Sequence, residues 1–264
     1  MTDPNSQSHA SNADTRRHVV QFYQGDEQAL TRNVARFFHD GLICGQGVVV
    51  IATAGRRAAI VRELGGLSVD VDAAVRSGSA VLLDAEETLG RLMLDDRPDA
   101  QRFEWVIGSV LRALRDVTGS RDVRAYGEMV GILWEAGRRA DALRLEELWN
   151  GLIEREELEL FCGYPIDVFG AAFGITEMDA VLCAHTHLVS ADAERALEAA
   201  VERAMDDVLG ARSDLLRPLM KANYRPSWAV LPRGEAIVLW LRNNLPGTAD
   251  EILRRAQSYY RACG

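Results

Sequence analysis

Apolar positions along this chain fall into two patterns, short uninterrupted β-branched runs and stripes at three-to-four spacing, and the two alternate. The first run, His18-Val-Val-Gln-Phe-Tyr23, reads as a strand ended by Gln24-Gly25-Asp26, which supplies a turn and a helix cap. Leu30, Val34, Phe37, Phe38 and Leu42 then mark a helix, which Gly45 and Gly47 close before the run Val48-Val-Val-Ile51. Such a run suits a strand covered on both faces, as in parallel sheets with crossover helices, so this stretch reads as a βαβ unit.

The alternation continues with helices near 56–64 and 72–76 and a strand over 79–84 that ends in Asp84. Phe103, Val106, Ile107, Val110, Leu111 and Leu114 form an amphipathic stripe closed by Gly119. A strand at 122–126, helices over 132–135 and 142–152, and a strand at 158–164 closed by Pro165 follow. His185 and His187 fall on a further predicted helix. From about residue 190 the chain turns to Ala, Glu, Arg and Leu, with Leu197, Val201, Met205 and Leu209 marking a long helix. Proline-containing breaks at 225–228 and 231–234, an apolar stretch at 236–241 and a helix over 248–260 complete it.

This order predicts an α/β fold: a three-layer sandwich around a mostly parallel sheet, plus a helical C-terminal segment. The expected division is a disordered tail over 1–17, a sheet domain over 18–189 and an output or interaction segment over 190–264. In such sheets ligands bind beyond the carboxyl ends of the strands, which here lie at Tyr23, Thr53, Asp84, Glu128 and Tyr164.

Composition narrows the classes. The 264 residues are 48% apolar and 26% charged, ordinary for a folded protein of one large or two modest domains. A formal charge of -9 argues against a whole-chain nucleic-acid binder. The basic stretch of Arg212, Arg217, Lys221, Arg225 and Arg233, with Tyr224 and Trp228, is expected to be a solvated helical face. Cys44, Cys162, Cys183 and Cys263 form no CxxC pair and read as reduced thiols. No apolar run approaches the roughly 18 residues of a membrane span, and the N-terminus is not signal-like, so a cytoplasmic chain is expected.

The chemistry is notable for what it lacks. After the first strand, where a phosphate-binding loop carries GxxxxGK[ST], stands Gln24-Gly25-Asp26-Glu27-Gln28, and the single lysine is the distant Lys221. ATP hydrolysis and a bound cofactor are not expected. Glu128 follows a strand, where an acid either contacts a ligand or pairs with an arginine; both readings stand. His18 opens a strand and by composition reads as structural. His185 and His187, two apart on a helix, face different ways and make a poor metal pair, so no metal site is expected. Cys162 reads as a small hydrophobe on an interior strand. Glu86 and Glu87 suit a helix start, and Trp149 suits a core, whereas Asn150 is less easily dismissed.

Together His18-Val-Val-Gln-Phe-Tyr23, Phe38-His-Asp-Gly-Leu42, Gly47-Val-Val-Val-Ile-Ala-Thr53, Tyr126-Gly-Glu-Met129, Leu145-Glu-Glu-Leu-Trp-Asn150, Leu160-Phe-Cys-Gly-Tyr164 and His185-Thr-His-Leu-Val189 resemble the MEDS domain, the methanogen and methylotroph DcmR sensory domain. The resemblance covers about residues 18–189. It implies a relative of RecA or KaiC without ATPase motifs, used as an input module for small hydrocarbon derivatives. It makes His18, Tyr23, Glu128, Glu146, Asn150, Cys162 and Tyr164 the candidate sensing residues, with His187 weaker, and His18, at the start of its strand, architectural.

The expected function is therefore a non-catalytic bacterial signal-transduction sensor or regulator. The expected partners are a small organic ligand, a signalling kinase or transcription regulator, and a second copy of the chain, but neither a membrane nor nucleic acid. Two other readings stay open: a scaffold with no small-molecule ligand, and a divergent ATPase-like enzyme using Glu128 with Asp84.

Overall fold

The computed structural model describes residues 17–23, 27–189, 194–223 and 232–263. Apart from Arg17, the expected N-terminal tail lies outside the described residues, as does the 225–228 break. The first half of the sheet domain runs β1 (His18–Phe22), α1 (Glu27–Ile43), β2 (Gly47–Ala52), α2 (Ala54–Gly66), α3 (Val71–Ser77), β3 (Ala80–Asp84) and α4 (Ala85–Leu92). A two-residue antiparallel ribbon, β4 (Met93–Leu94) with β5 (Arg97–Pro98), leads to α5 (Ala100–Phe103), a π-helical turn over Glu104–Gly108, and α6 (Ser109–Thr118). Then come β6 (Val123–Gly127), α7 (Met129–Glu135), α8 (Arg139–Arg155), β7 (Leu158–Tyr164), α9 (Ile175–Ala184) and β8 (His187–Val189). The C-terminal helices are α10 (Glu194–Leu209), α11 (Arg212–Asn223), α12 (Arg233–Asn244) and α13 (Pro246–Cys263).

The main sheet has six strands in the order β3-β2-β6-β7-β1-β8, all parallel. Period-two alternation assigns each strand's side chains to one of two cores. Val19, Tyr23, Val48, Val50, Tyr126 and Phe161 face α1, α2 and α3. Val20, Phe22, Val49, Ile51, Leu160, Cys162 and Tyr164 face the layer formed by α4, α6, α7, α8 and α9. Burial on both sides is why β1 and β2 read as continuous apolar runs.

Three local readings are corrected. His185 and His187 do not share a helix: His185 caps the C-terminus of α9, and His187 opens β8, which pairs with β1 through Val19 and Val20. A strand of three residues is too short to leave a periodic signal. The stripe from Phe103 to Leu114 is not one regular helix but is broken by the π turn, which keeps Val106 and Ile107 inside and leaves Trp105 outside, under the Arg91 guanidinium. The last helix starts at Pro246, whose fixed φ and missing N–H suit a first turn, rather than at residue 248.

The C-terminal helices share the core of the sheet domain. Leu197, Val201 and Met205 of α10, Ile237 and Leu241 of α12, and Ile252 and Leu253 of α13 belong to the same buried cluster as Cys162 and Tyr164. Polar contacts fix the connection that follows β7: Arg242 donates to the Phe169 and Gly170 carbonyls at 2.8 Å each and pairs with Asp250 at 3.0 Å. No helix among the described residues is long and apolar enough to cross a membrane.

The tightest backbone approach joins α7 to β7, where a Cβ on Gly131 would stand 2.7 Å from the Gly163 carbonyl oxygen. The clash is with main chain, so it outweighs the better helix propensity of alanine. Gly131→Ala is expected to lower the unfolding free energy by about 1–3 kcal/mol in urea denaturation.

Candidate functional site

Two polar sites are built into the sheet, and they lie on opposite faces. The first stands at the carboxyl ends of β2 and β6, a switch point where α2 leaves to one face and α7 to the other. Glu128 follows β6, and its Oε2 accepts from the Thr53 backbone N–H at 2.7 Å and the Thr53 hydroxyl at 3.0 Å. Its Oε1 accepts from Arg56 Nε at 3.1 Å. Both side chains are buried. The same guanidinium donates to the Glu27 carbonyl at 3.2 Å and lies 4.8 Å above the centre of the Tyr23 ring.

Beside this pair a crevice of about 480 Å³ opens, lined by Glu27, Gln28, Thr31, Thr53, Arg56 and Arg62. Burial, with Glu128 adding to it, pushes the Tyr23 phenol up to about 12. Asp84, the acid at the neighbouring strand end, is also occupied. It accepts from the Glu86 and Glu87 backbone N–H groups, caps α4 and pairs with Arg57 at 2.9 Å. The Glu87 N–H bond above all, with Arg57, holds its carboxyl below the ordinary value.

The second site is enclosed between β1, β7, α8 and α9. Glu146 projects from the middle of α8 and is 1% exposed; around it stand His18, Cys162 and His185, at 1%, 0% and 3%. His18 Nε2 lies 3.3 Å from Glu146 Oε2 and 3.4 Å from Cys162 Sγ, and His185 Nε2 lies 3.3 Å from Glu146 Oε1. The His185 contact is at ion-pair distance, and its Nε2 makes no hydrogen bond among the described residues. Tyr164 donates its hydroxyl to Glu146 Oε1 at 2.8 Å. One donor atom from each of His18, Glu146, Cys162 and His185 falls within 4.8 Å of the others.

The outer contacts fix how the imidazoles present themselves. Asn150 Nδ2 donates to the Ala184 carbonyl at 2.9 Å, which turns its Oδ1 towards His18 Nδ1 at 2.8 Å. His185 Nδ1 stands 2.6 Å from the Val181 carbonyl, which can only accept. Both rings therefore carry a proton on Nδ1 and aim Nε2 at Glu146. Burial first, then Glu146, pushes the Cys162 thiol and the Tyr164 phenol well above their ordinary values, so both are neutral donors. Burial, reinforced by His185, pulls the His18 imidazole down. Burial alone would push the Glu146 carboxyl up; His185 and His18 reverse that and hold it below the usual carboxylate range.

The seven residues picked out by resemblance thus separate. His18, Glu146, Asn150, Cys162 and Tyr164 meet in the enclosed cluster, whereas Tyr23 and Glu128 meet at Arg56 across the sheet, beside the crevice but not among the residues that line it. Among the described residues, Tyr23 faces one core and Cys162 and Tyr164 the other, so the three do not line one cavity with Glu128. His18 does lie away from the strand ends, but it does more than open a strand. His187 is outside both sites and bonds Thr186 Oγ1 at 2.9 Å. The sequence does not single out Arg56, one of several arginines on an amphipathic helix, or His185, whose surroundings read as helix.

A family model described as MEDS, the MEthanogen/methylotroph, DcmR Sensory domain, matches residues 17–186. The match covers both sites, from His18 to His185, and the chain belongs to that family. Among curated proteins, none matches the chain.

Removing one member of the buried Arg56 pair leaves an uncompensated charge, so Glu128→Ala is expected to destabilise the fold by about 3–5 kcal/mol in urea denaturation. A spectrophotometric titration compared with Tyr23→Phe is expected to show Tyr23 ionising near 12. Because the folded-state value is raised, the neutral phenol contributes stability that is whole below pH 10 and is lost as pH climbs towards 12.

Proposed function

We propose that this chain is a non-catalytic sensor or regulator of bacterial signal transduction in the cytoplasm, in which a degenerate RecA-like domain receives the signal and residues 190–264 pass it on. The observation that carries this reading is the bonding of Glu128. In a P-loop enzyme the corresponding region offers backbone N–H groups, a lysine and a metal-binding acid to a triphosphate. Here the acid is saturated by Thr53 and Arg56, the guanidinium is consumed within the protein, and Glu27 faces the crevice. Among the described residues at the strand ends, neither Glu128 nor Arg56 is left free to hold a metal or a phosphate. What the crevice does offer is a polar rim suited to a small organic molecule.

A route for output is built into the contacts. The connection after β7 and the helix α9 pack on α12 and α13 through Arg242, through the Phe169 and Tyr260 rings at 5.6 Å, and through Gln257 with Asp167 at 3.3 Å. A change at the end of β7 reaches those helices without crossing solvent. A scaffold reading has one observation in its favour: Leu215 and Leu219, a turn apart on α11, are 73% and 48% exposed, a surface for a signalling kinase, a transcription regulator or a second copy of the chain.

A thermal-shift screen against short alcohols, aldehydes and halocarbons, and against nucleotides with Mg²⁺, separates the readings. The expected result is a raised melting temperature with one organic class, stabilisation reaching about 2.7 kcal/mol at a hundredfold excess over Kd. The shift is expected to vanish in Gln28→Trp, which fills the crevice and removes no internal bond. A nucleotide shift instead would return the enzyme reading, and no shift at all would leave the scaffold.

A further inference from the structure

We infer that His18, Glu146, Cys162 and His185 form a binding site for a divalent transition-metal ion of the class represented by zinc and cobalt. The first argument is an account of lone pairs. With both Nδ1 protons committed to Asn150 and Val181, the two Nε2 atoms are acceptors, and they face the two acceptor oxygens of Glu146. Among the described residues, the donors turned inward are the Cys162 thiol and the Tyr164 hydroxyl. Acceptors packed against acceptors in a dry core repel, so a cation belongs among them, either an added proton or a metal ion.

The second argument is distance. Metal–nitrogen bonds of about 2.0 Å and metal–sulfur bonds of about 2.3 Å in a tetrahedron put neighbouring ligand atoms about 3.3–3.6 Å apart. The His18–Glu146 and His18–Cys162 separations of 3.3 and 3.4 Å match such edges, and Cys162 to the same carboxylate oxygen, at 3.8 Å, needs a slight contraction; His185 stands 3.3 Å from the other oxygen, so the four ligand atoms, now within 4.8 Å of one another, close to this spacing by a shift of His185 or a turn of the carboxylate.

The third argument is the surrounding shell. Ligating histidines characteristically donate their other ring N–H to a carbonyl or carboxylate, and ligating carboxylates are themselves hydrogen-bonded. Asn150, Val181 and Tyr164 supply those contacts in turn. Charge also balances, since a divalent ion is neutralised by one carboxylate and one thiolate, the thiol proton leaving as the metal binds. Mixed nitrogen, sulfur and oxygen ligation favours zinc or cobalt over magnesium or calcium, and four buried protein ligands make a closed site of the structural kind. The assignment does not depend on what the crevice binds.

The test uses the full chain. Protein from zinc-supplemented cells, purified without chelator, is assayed for metal, and chain refolded from chelator-containing denaturant is titrated with Co²⁺. The expected result is one ion per chain and a thiolate-to-cobalt absorption band that persists when Cys44, Cys183 and Cys263 are all serine and disappears in Cys162→Ser. Asn150→Ala, which loosens a positioning contact, is expected to weaken Co²⁺ binding about 10–100-fold while the band remains. Folded wild-type chain with far less than one ion in both preparations overturns the assignment in favour of a buried proton, as does a band that survives Cys162→Ser. Should Cys162→Ser fail to fold, the wild-type stoichiometry and the Asn150→Ala affinity still decide.

Discussion

A carboxylate cannot sit in an apolar core without compensation, and Glu146 sits in the middle of one. Its isolated charge would cost several kcal/mol even after the surroundings relax. The elements around it are placed as the compensation requires. β1 begins with an imidazole, β7 turns a thiol and a phenol inward, and α9 ends where His185 can reach the same point. Asn150, one turn along α8, ties the end of α9 to the start of β1 with two hydrogen bonds. The corner where the sheet meets its outer helices is held by polar contacts as much as by packing.

The same chain solves the same problem differently across the sheet. Glu128 is also buried, yet it is answered by one permanent cation, Arg56, and by the backbone that begins α2. A guanidinium stays charged over any accessible pH, so the cation of that pair is permanent. The cluster around Glu146 depends on groups that exchange protons and coordinate metals. One site is a fixed strut beside an open crevice; the other is closed and chemically variable, and it adjoins the helix that meets the C-terminal segment.

Much of this was legible in the sequence. The buried runs at 18–22, 47–52 and 158–164 gave the parallel sheet because only strands covered on both faces read that way. The separation of the two sites was also written there. On alternating strands Tyr23 and His18 must point to opposite faces, as must Phe161 and Cys162. Other features left no trace. Three residues of β8 carry no period, so His185 was assigned to a helix instead of a helix end. The pairing of Arg56 with Glu128 joins the first turn of α2 to the residue that precedes α7, far apart in sequence, and nothing distinguishes Arg56 locally from Arg57 beside it. Family resemblance found most of the Glu146 cluster residue by residue, but their convergence is a property of the packed fold.

The strand order carries a consequence for how the protein is made. β1 is bordered by β7 on one side and β8 on the other, and both neighbours lie far later in the chain. On the ribosome β1 meets neither of these sheet neighbours until residue 158 and beyond have been synthesised, and the second not until residue 187. Until then its edges stand open to association with other chains. The polar residues in this stretch, His18 and Gln21 among them, keep it less sticky than an unbroken valine run would be while it waits.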